Sequence, residues 1–556
     1  MVFTAANRAK LPFPTANKSR TKLSLSLRHA IWVDTNLRLL ISRSRLIPVP
    51  EPFSISRMLR SQCSRQLDYL FFTSLRRHTD HSGPTLGLTS LMRIGGKGGT
   101  QSGNHAIERL QLRNVKLAGH RVVLMLSLCV CFDTAARAVP SFARQTGLAC
   151  IACHRGIPEL TAFGRRFKLN GYTLTGIERY VSESDRATPG LEILKVLPLS
   201  AMIQIAGTAT NSPQPGTQNG SVQFPQQLSL FLAGAFTSQV GGLIQTTYTH
   251  GSDHFTLDNS DIRFANRTRL DGKTLVYGAT LNNGPTVEDL WNSTPVWGFP
   301  WVSASSAPTP AAAPVISSLG QDVAGLGAYA MWNDHLYANA TLYRTEHAGG
   351  AQPPDGVGFA YNIRGAAPYW RVAWQQNVDN NYFEVGTYGI RLNSTPNAVT
   401  GLEDKFNDVA VDLQYERPFG VNLLTVHSNY IRESSTLNAA FFAGTAAQAA
   451  HHLGSFRADA TYHIGSRYTA TLGAFRINGT SDAALFAPAP VTGSLNGSPE
   501  STGYTAQIGY WPWQNIDLSL AYTAYTKFNG GGSNYDGSGR DASANNTAYL
   551  VAWFIF

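Results

Sequence analysis

Cys150, Ile151, Ala152, Cys153 and His154 form the run C-x-x-C-H. Two thiols one helical turn apart can both make thioether bonds to one porphyrin, and an imidazole directly after the second brings a ring nitrogen to the iron. With 5 Cys and 14 His in 556 residues, composition alone gives about 0.001 accidental matches. Two such thiols also suit a disulfide or half of a zinc site. No second C-x-x-C exists to complete the latter. The run therefore predicts one covalently bound haem c, attached at Cys150 and Cys153, with His154 as the proximal iron ligand.

Thioether attachment takes place outside the cytoplasm, so an export signal should precede the motif. Arg113, Lys116 and Arg121 make a basic n-region, Val122 to Phe132 an apolar h-region, and Ala136, Arg137 and Ala138 an A-x-A cleavage site. Eleven apolar residues are too few to remain as a membrane-spanning helix. Residues 1–114 are rich in Arg, Ser and Leu without a sustained period. They read as an extension produced by a start placed too early, with translation beginning near Val115 and residues 115–138 as the signal; a genuine extension is the alternative.

The formal charge of +10 suggests a nucleic-acid or membrane-surface partner. Residues 1–138, however, hold 21 Lys or Arg against 6 Asp or Glu, leaving 24 against 29 in the remainder. The mature chain is acidic, and no nucleic-acid partner is expected. Cys63, Cys129 and Cys131 all precede residue 139, so the mature chain has no disulfide framework.

From about residue 196, segments of 8 to 13 residues alternate apolar and polar side chains. Val409, Val411, Leu413 and Tyr415 alternate with Asp408, Asp412, Gln414 and Glu416. Sixteen segments are read, at 196–208, 227–237, 240–250, 259–269, 274–282, 325–332, 335–344, 366–376, 381–393, 405–416, 421–433, 455–464, 467–478, 501–512, 515–528 and 544–556. Connections alternate between turns of about two to four residues and loops of about eight or more. Sorting short turns to one rim and long loops to the other predicts a mainly β fold, a 16-stranded, porin-like outer-membrane β-barrel over 196–556. A soluble sandwich or propeller has no reason to sort its loops so. Trp332, Trp374, Tyr415, Tyr462 and Tyr510 lie beside short turns and would form the periplasmic girdle. Phe556 ends the last strand, like the signal by which outer-membrane proteins are recognised.

Residues 139–195 form the short, partly helical segment carrying the haem motif. Pro158 suits N1 of a helix, with Leu160, Phe163 and Phe167 on one face and Gly171 as the left-handed stop. Some forty residues between motif and barrel cannot build their own core, so the barrel should supply the packing. Residues 155–195 contain neither His nor Met. By strand parity Met202, His335, His427 and His463 point inward. Met202 and His463, nearest the periplasmic rim, are the candidate distal ligands, and an open sixth position is the alternative. The loop near 283–324, with Trp291, Trp297 and Trp301, is long enough to constrict the pore or to lie on the surface. Acidic loop residues such as Glu288, Asp289, Glu403 and Asp404 would attract a cation or simply be solvated.

The run Phe142 to Gly147, the motif Cys150 to His154, then Pro158, Leu160, Phe163, Gly164, Phe167, Lys168, Gly171 and Tyr172 resembles the monohaem cytochrome–porin fusion proteins of bacterial outer membranes. The resemblance is specific over about thirty residues and architectural over the barrel. It implies electron transfer across the outer membrane, from extracellular iron(II) or a similar donor to a periplasmic electron-carrier cytochrome. Iron(II):cytochrome c oxidoreductase activity or simple electron carriage would follow, with outer-membrane lipid around the barrel and the haem at its periplasmic mouth or inside it. The competing class is a solute-diffusion porin whose haem-bearing segment is a plug or redox gate. N-terminal sequencing of protein taken from membranes is expected to begin near Val139; a mature start inside 1–114 would establish the extension as genuine.

Overall fold

The computed structural model describes residues 140–174, 179–180, 193–194, 196–249, 254–346, 362–395 and 401–556. The expected extension and signal, 1–114 and 115–138, lie outside the described residues. Period-two alternation becomes sixteen antiparallel strands: β1 (Leu199–Thr210), β2 (Ser221–Ala235), β3 (Val240–Thr249), β4 (Phe255–Leu257 and Asp261–Leu270), β5 (Lys273–Asn282), β6 (Val323–Trp332), β7 (Leu336–Thr345) and β8 (Ala367–Val378). They continue as β9 (Asn381–Ser394), β10 (Asp404–Phe419), β11 (Asn422–Leu437), β12 (Ala450–Ile464), β13 (Tyr468–Gly479), β14 (Ser501–Trp513), β15 (Ile516–Lys527) and β16 (Thr547–Ile555). Each pairs with its neighbour in sequence. β16 closes on β1, from Thr547 against Thr210 to Ile555 against Met202, so the sheet is a closed barrel without edges.

Polarity is inverted relative to a soluble protein. Along β10, Val409 and Val411 are 46% and 54% exposed, whereas Asp408 and Asp412 are 1% and 3% exposed. The outer face is apolar and the lumen polar, as a barrel in lipid requires. Trp332, Trp374, Tyr415, Tyr462 and Tyr510 occupy outward positions next to short turns. Tyr510 stacks on Tyr468 at 5.1 Å, and Lys273 lies 4.7 Å over Trp332. The turns on that rim are built from local chemistry: Asp271 and Gly272 both have positive φ, 52° and 74°, the pattern of a tight D-G hairpin. The long connections gather at the opposite rim.

Some boundaries differ from the sequence reading. β2 begins at Ser221 rather than 227; Pro225 withholds a ladder N–H, and a register shift between Gln204 and Ala206 on β1 absorbs it. β11 and β12 run on to Leu437 and from Ala450 because polar residues such as Ser434 and His452 still pair beyond the apolar band. The loop between β5 and β6 folds into the lumen. Val315, Ile316 and Leu319 are fully buried against Tyr343, Tyr369, Tyr388 and Ile431.

Val411→Arg is expected to lower the unfolding free energy in lipid vesicles by about 2–4 kcal/mol, the penalty for a cation on the lipid face near the bilayer midplane. Denaturant titration followed by tryptophan fluorescence measures it, and an unshifted midpoint would mean that this face does not meet lipid.

Candidate haem-attachment site

The segment before β1 enters the short-turn mouth as three helices, α1 (Ser141–Thr146), α2 (Cys150–Cys153) and α3 (Ala162–Leu169), with a small hairpin pairing His154–Gly156 with Glu159–Leu160. α2 is a single turn, which sets Cys150 and Cys153 one above the other; both thiols are free and half-buried. Burial, reinforced by Cys150, pushes the Cys153 thiol up to about 11. Burial likewise raises the Cys150 thiol. Burial drives His154 down to about 4, partly offset by the backbones of Pro158 and Glu159. Its imidazole is neutral at physiological pH, the form that can ligate iron. Its Nδ1 is enclosed and makes no hydrogen bond. Two paired thiols followed by a neutral imidazole with an open nitrogen fit a c-type haem.

Thr161 joins the pieces. Its hydroxyl donates to Ala152 O at 2.6 Å and accepts from Gly164 N at 3.1 Å, while its own N–H reaches Cys153 O at 2.9 Å. Gly164 is required by this approach, since a Cβ there would lie 2.1 Å from Cys153 O. α3 thus starts at Ala162, capped by Thr161, and Pro158 lies in the hairpin turn rather than at N1. The buried face of α3 carries Arg165, Phe167, Lys168 and Leu169, while Phe163 is exposed. The cause is the polar lumen, which accepts cations where a soluble core would want apolar side chains. Gly171, at φ 69°, does supply the left-handed stop.

Barrel and inner loop hold this segment from every side. Arg155 and Arg165 each reach Glu416 on β10 at 2.5 Å. Glu159 faces His463 at 3.3 Å. Lys168 donates to Val287 O and Asp289 O at 2.6 and 2.8 Å, and Tyr172 to Asp261 at 2.8 Å. Leu169 packs against Val276, Leu290, Trp291, Tyr329 and Met331, so the barrel completes the segment's core. A cavity of about 370 Å³ remains between α3 and the turn ending at His335.

The proposed cation-attracting acids have other work. Glu288 and Asp289 are fully buried in the lumen, because their loop turns inward. Asp289 lies 3.4 Å from Arg371, whose guanidinium also meets Glu384 at 3.2 Å and Asp412 at 2.7 Å. Glu403 pairs with Arg364, and Asp404 accepts from the N–H groups of Ala439 and Ala440. Among the described residues, no three or more His, Cys, Asp or Glu side chains gather as a metal site.

Of the candidate distal ligands, Met202 is buried and inward, its sulfur 4.0 Å from the Gln204 amide. His463 is also buried and inward. Its Nε2 is 3.3 Å from both Glu159 and Thr425, so that nitrogen is occupied. His335 lies in the turn before β7, not on a strand, with Nδ1 2.9 Å from Gln375 O. His427 is buried on β11, with Nδ1 3.2 Å from Asp459 and Nε2 unpartnered. Glu416 and Arg371 were missed as anchors; in β10 the signal was an acidic residue at every fourth position from Asp404.

No protein-family model and no curated protein matches the chain. Solved structures similar to it include outer-membrane proteins. OmpF of Salmonella typhi, in complex with daunomycin, aligns at 12% identity over 65% of this chain and 98% of that one, with TM-score 0.40. The anion-selective porin from Comamonas acidovorans aligns at 12% over 64% and 98%, with TM-score 0.38. The outer-membrane channel DcaP of Acinetobacter baumannii aligns at 10% over 64% and 96%, with TM-score 0.36.

Glu416→Ala strands two guanidiniums and is expected to weaken seating of the segment by about 3–5 kcal/mol, as removal of one partner from a buried pair does. Limited proteolysis from the short-turn side is expected to cut within 140–174 in this variant while the barrel stays intact. Equal protection of variant and wild type would show that Glu416 does not anchor the segment.

Proposed function

We propose that the protein is an outer-membrane electron-transfer barrel: a porin-like barrel whose periplasmic mouth is closed by a segment carrying one haem c on Cys150 and Cys153, with His154 as proximal ligand. The observation that carries this reading is the C-x-x-C-H run on a single helical turn, thiols free and imidazole neutral, wedged inside the barrel. The apolar outer band, the aromatic girdle and the sorted loops support the outer-membrane location. When bound, the haem supplies one-electron exchange at its iron.

The chain's residues position that chemistry. Thr161 and Gly164 lock α2 onto α3, and Glu416 ties the segment to β10 through Arg155 and Arg165. The inner loop brings Leu290 and Trp291 into one buried cluster with Leu169 of α3. The substrate is extracellular iron(II) or a similar donor, and the acceptor a periplasmic cytochrome, so the activity is that of an iron(II):cytochrome c oxidoreductase or an electron carrier.

A second reading is a solute-diffusion porin in which the segment is a plug or redox gate. It is favoured by the way the segment is held, through ion pairs and hydrogen bonds that can release.

Cys150→Ala and Cys153→Ala are each expected to weaken covalent haem retention on denaturing gels, and the double variant to abolish it. Stopped-flow mixing of holoprotein with iron(II) is expected to reduce the haem rapidly, with no steady current in a planar bilayer. A large steady current from the intact protein would instead favour the porin reading.

A further inference from the structure

His427 and His451 each hold a carboxylate at one ring nitrogen and leave the other buried and unpartnered, but only His427 lies beside the segment. On β11 it is in register with Gln414 of β10 and Asp459 of β12, and the ladder sets its Nδ1 3.2 Å from the Asp459 carboxylate. The Trp301 ring meets the imidazole edge-on at 5.9 Å, with 88° between planes, and limits its rotation. Its Nε2 is buried and bonded to nothing in the protein. A ring held by a carboxylate at one nitrogen and left open at the other is the arrangement of a metal-ligating histidine, whose second nitrogen is fixed by an outer partner. Burying an unsatisfied ring nitrogen is otherwise unfavourable.

The surroundings point the same way. Glu159, on the hairpin that begins at His154, lies close enough for His427 to act on its carboxyl. Glu159 approaches from the segment, and Asp459 and Glu416 from the wall. His463 has its Nε2 taken by Glu159 and Thr425. His451 pairs through Nε2 with Asp482 near the long-loop rim, away from the segment. Met202 has no outer partner that would orient its sulfur beyond the Gln204 amide.

We propose that His427 is the second axial ligand of the haem iron, with Asp459 as its positioning partner; this rests on haem attachment at Cys150 and Cys153. His154 of the segment and His427 of the barrel would each supply one imidazole to the iron. Haem binding would then clamp the segment to the wall, and the complete ligand set would exist only once the barrel has closed around it.

The test uses full-length holoprotein in detergent, read by optical and electron paramagnetic resonance spectra. Wild type is expected to be low-spin with two imidazoles and without the charge-transfer band of a sulfur–iron bond. His427→Ala is expected to become high-spin and to return to low-spin on addition of free imidazole, with covalent haem and the folded barrel band on unheated gels retained. Asp459→Asn is expected to stay low-spin but to raise the midpoint potential, because a less basic imidazole stabilises iron(III) less. Met202→Ala and His463→Ala are expected to leave the spin state unchanged. A low-spin spectrum unmoved by His427→Ala, or a sulfur–iron band lost in Met202→Ala, would overturn the assignment while leaving the haem reading standing. A wild type without covalent haem would overturn both.

Discussion

Every fourth residue of β10 from Asp404 to Glu416 directs a carboxylate into the lumen, and each holds a different piece of what fills it. Asp404 accepts from Ala439 and Ala440 at the long-loop rim, and Asp408 from the backbone of Ile316 in the inner loop. Asp412 takes Arg371 and Ser293; Glu416 takes Arg155 and Arg165 at the short-turn mouth. A carboxylate removed from water is strongly unfavourable unless it is paired or hydrogen-bonded. The ladder therefore commits the lumen to being filled, and it dictates with what.

The filling reverses the usual logic of a core. α3 buries Arg165 and Lys168 and leaves Phe163 outside, because the wall it meets offers carboxylates and carbonyl oxygens. Apolar packing persists where the inner loop turns inward, around Leu290 and Trp291 near the mouth and around Val315 and Ile316 further in. Arg371 joins the two regimes. It balances Asp289 of the loop against Glu384 and Asp412 of the wall, and its guanidinium lies 5.1 Å over Trp291.

The same constraint places His154. Its segment is too small to enclose an imidazole by itself, yet wall, loop and hairpin together keep the ring neutral with one nitrogen open. The segment thus gains from the barrel that follows it an enclosure that it is too short to build for itself.

Period-two alternation and turn length are local properties, which is why the strand number, the sorted turns and the aromatic girdle were legible in the sequence. The spacing of Cys150, Cys153 and His154 is local too. Other features depended on contacts that no local pattern announces. Glu288 and Asp289 read as solvated loop acids until the loop entered a lumen that holds Arg371. Pro158 read as a helix start until Thr161 capped α3 against Cys153. His463 and His427 shared one inward parity. Only the register of β10, β11 and β12, with the segment seated among them, decided that the first would face Glu159 and the second would keep an open nitrogen. Sequence alone determined which side of each strand meets lipid, because adjacent residues must face opposite ways; tertiary structure decided what meets inside, because a closed wall brings every inward face to one lumen.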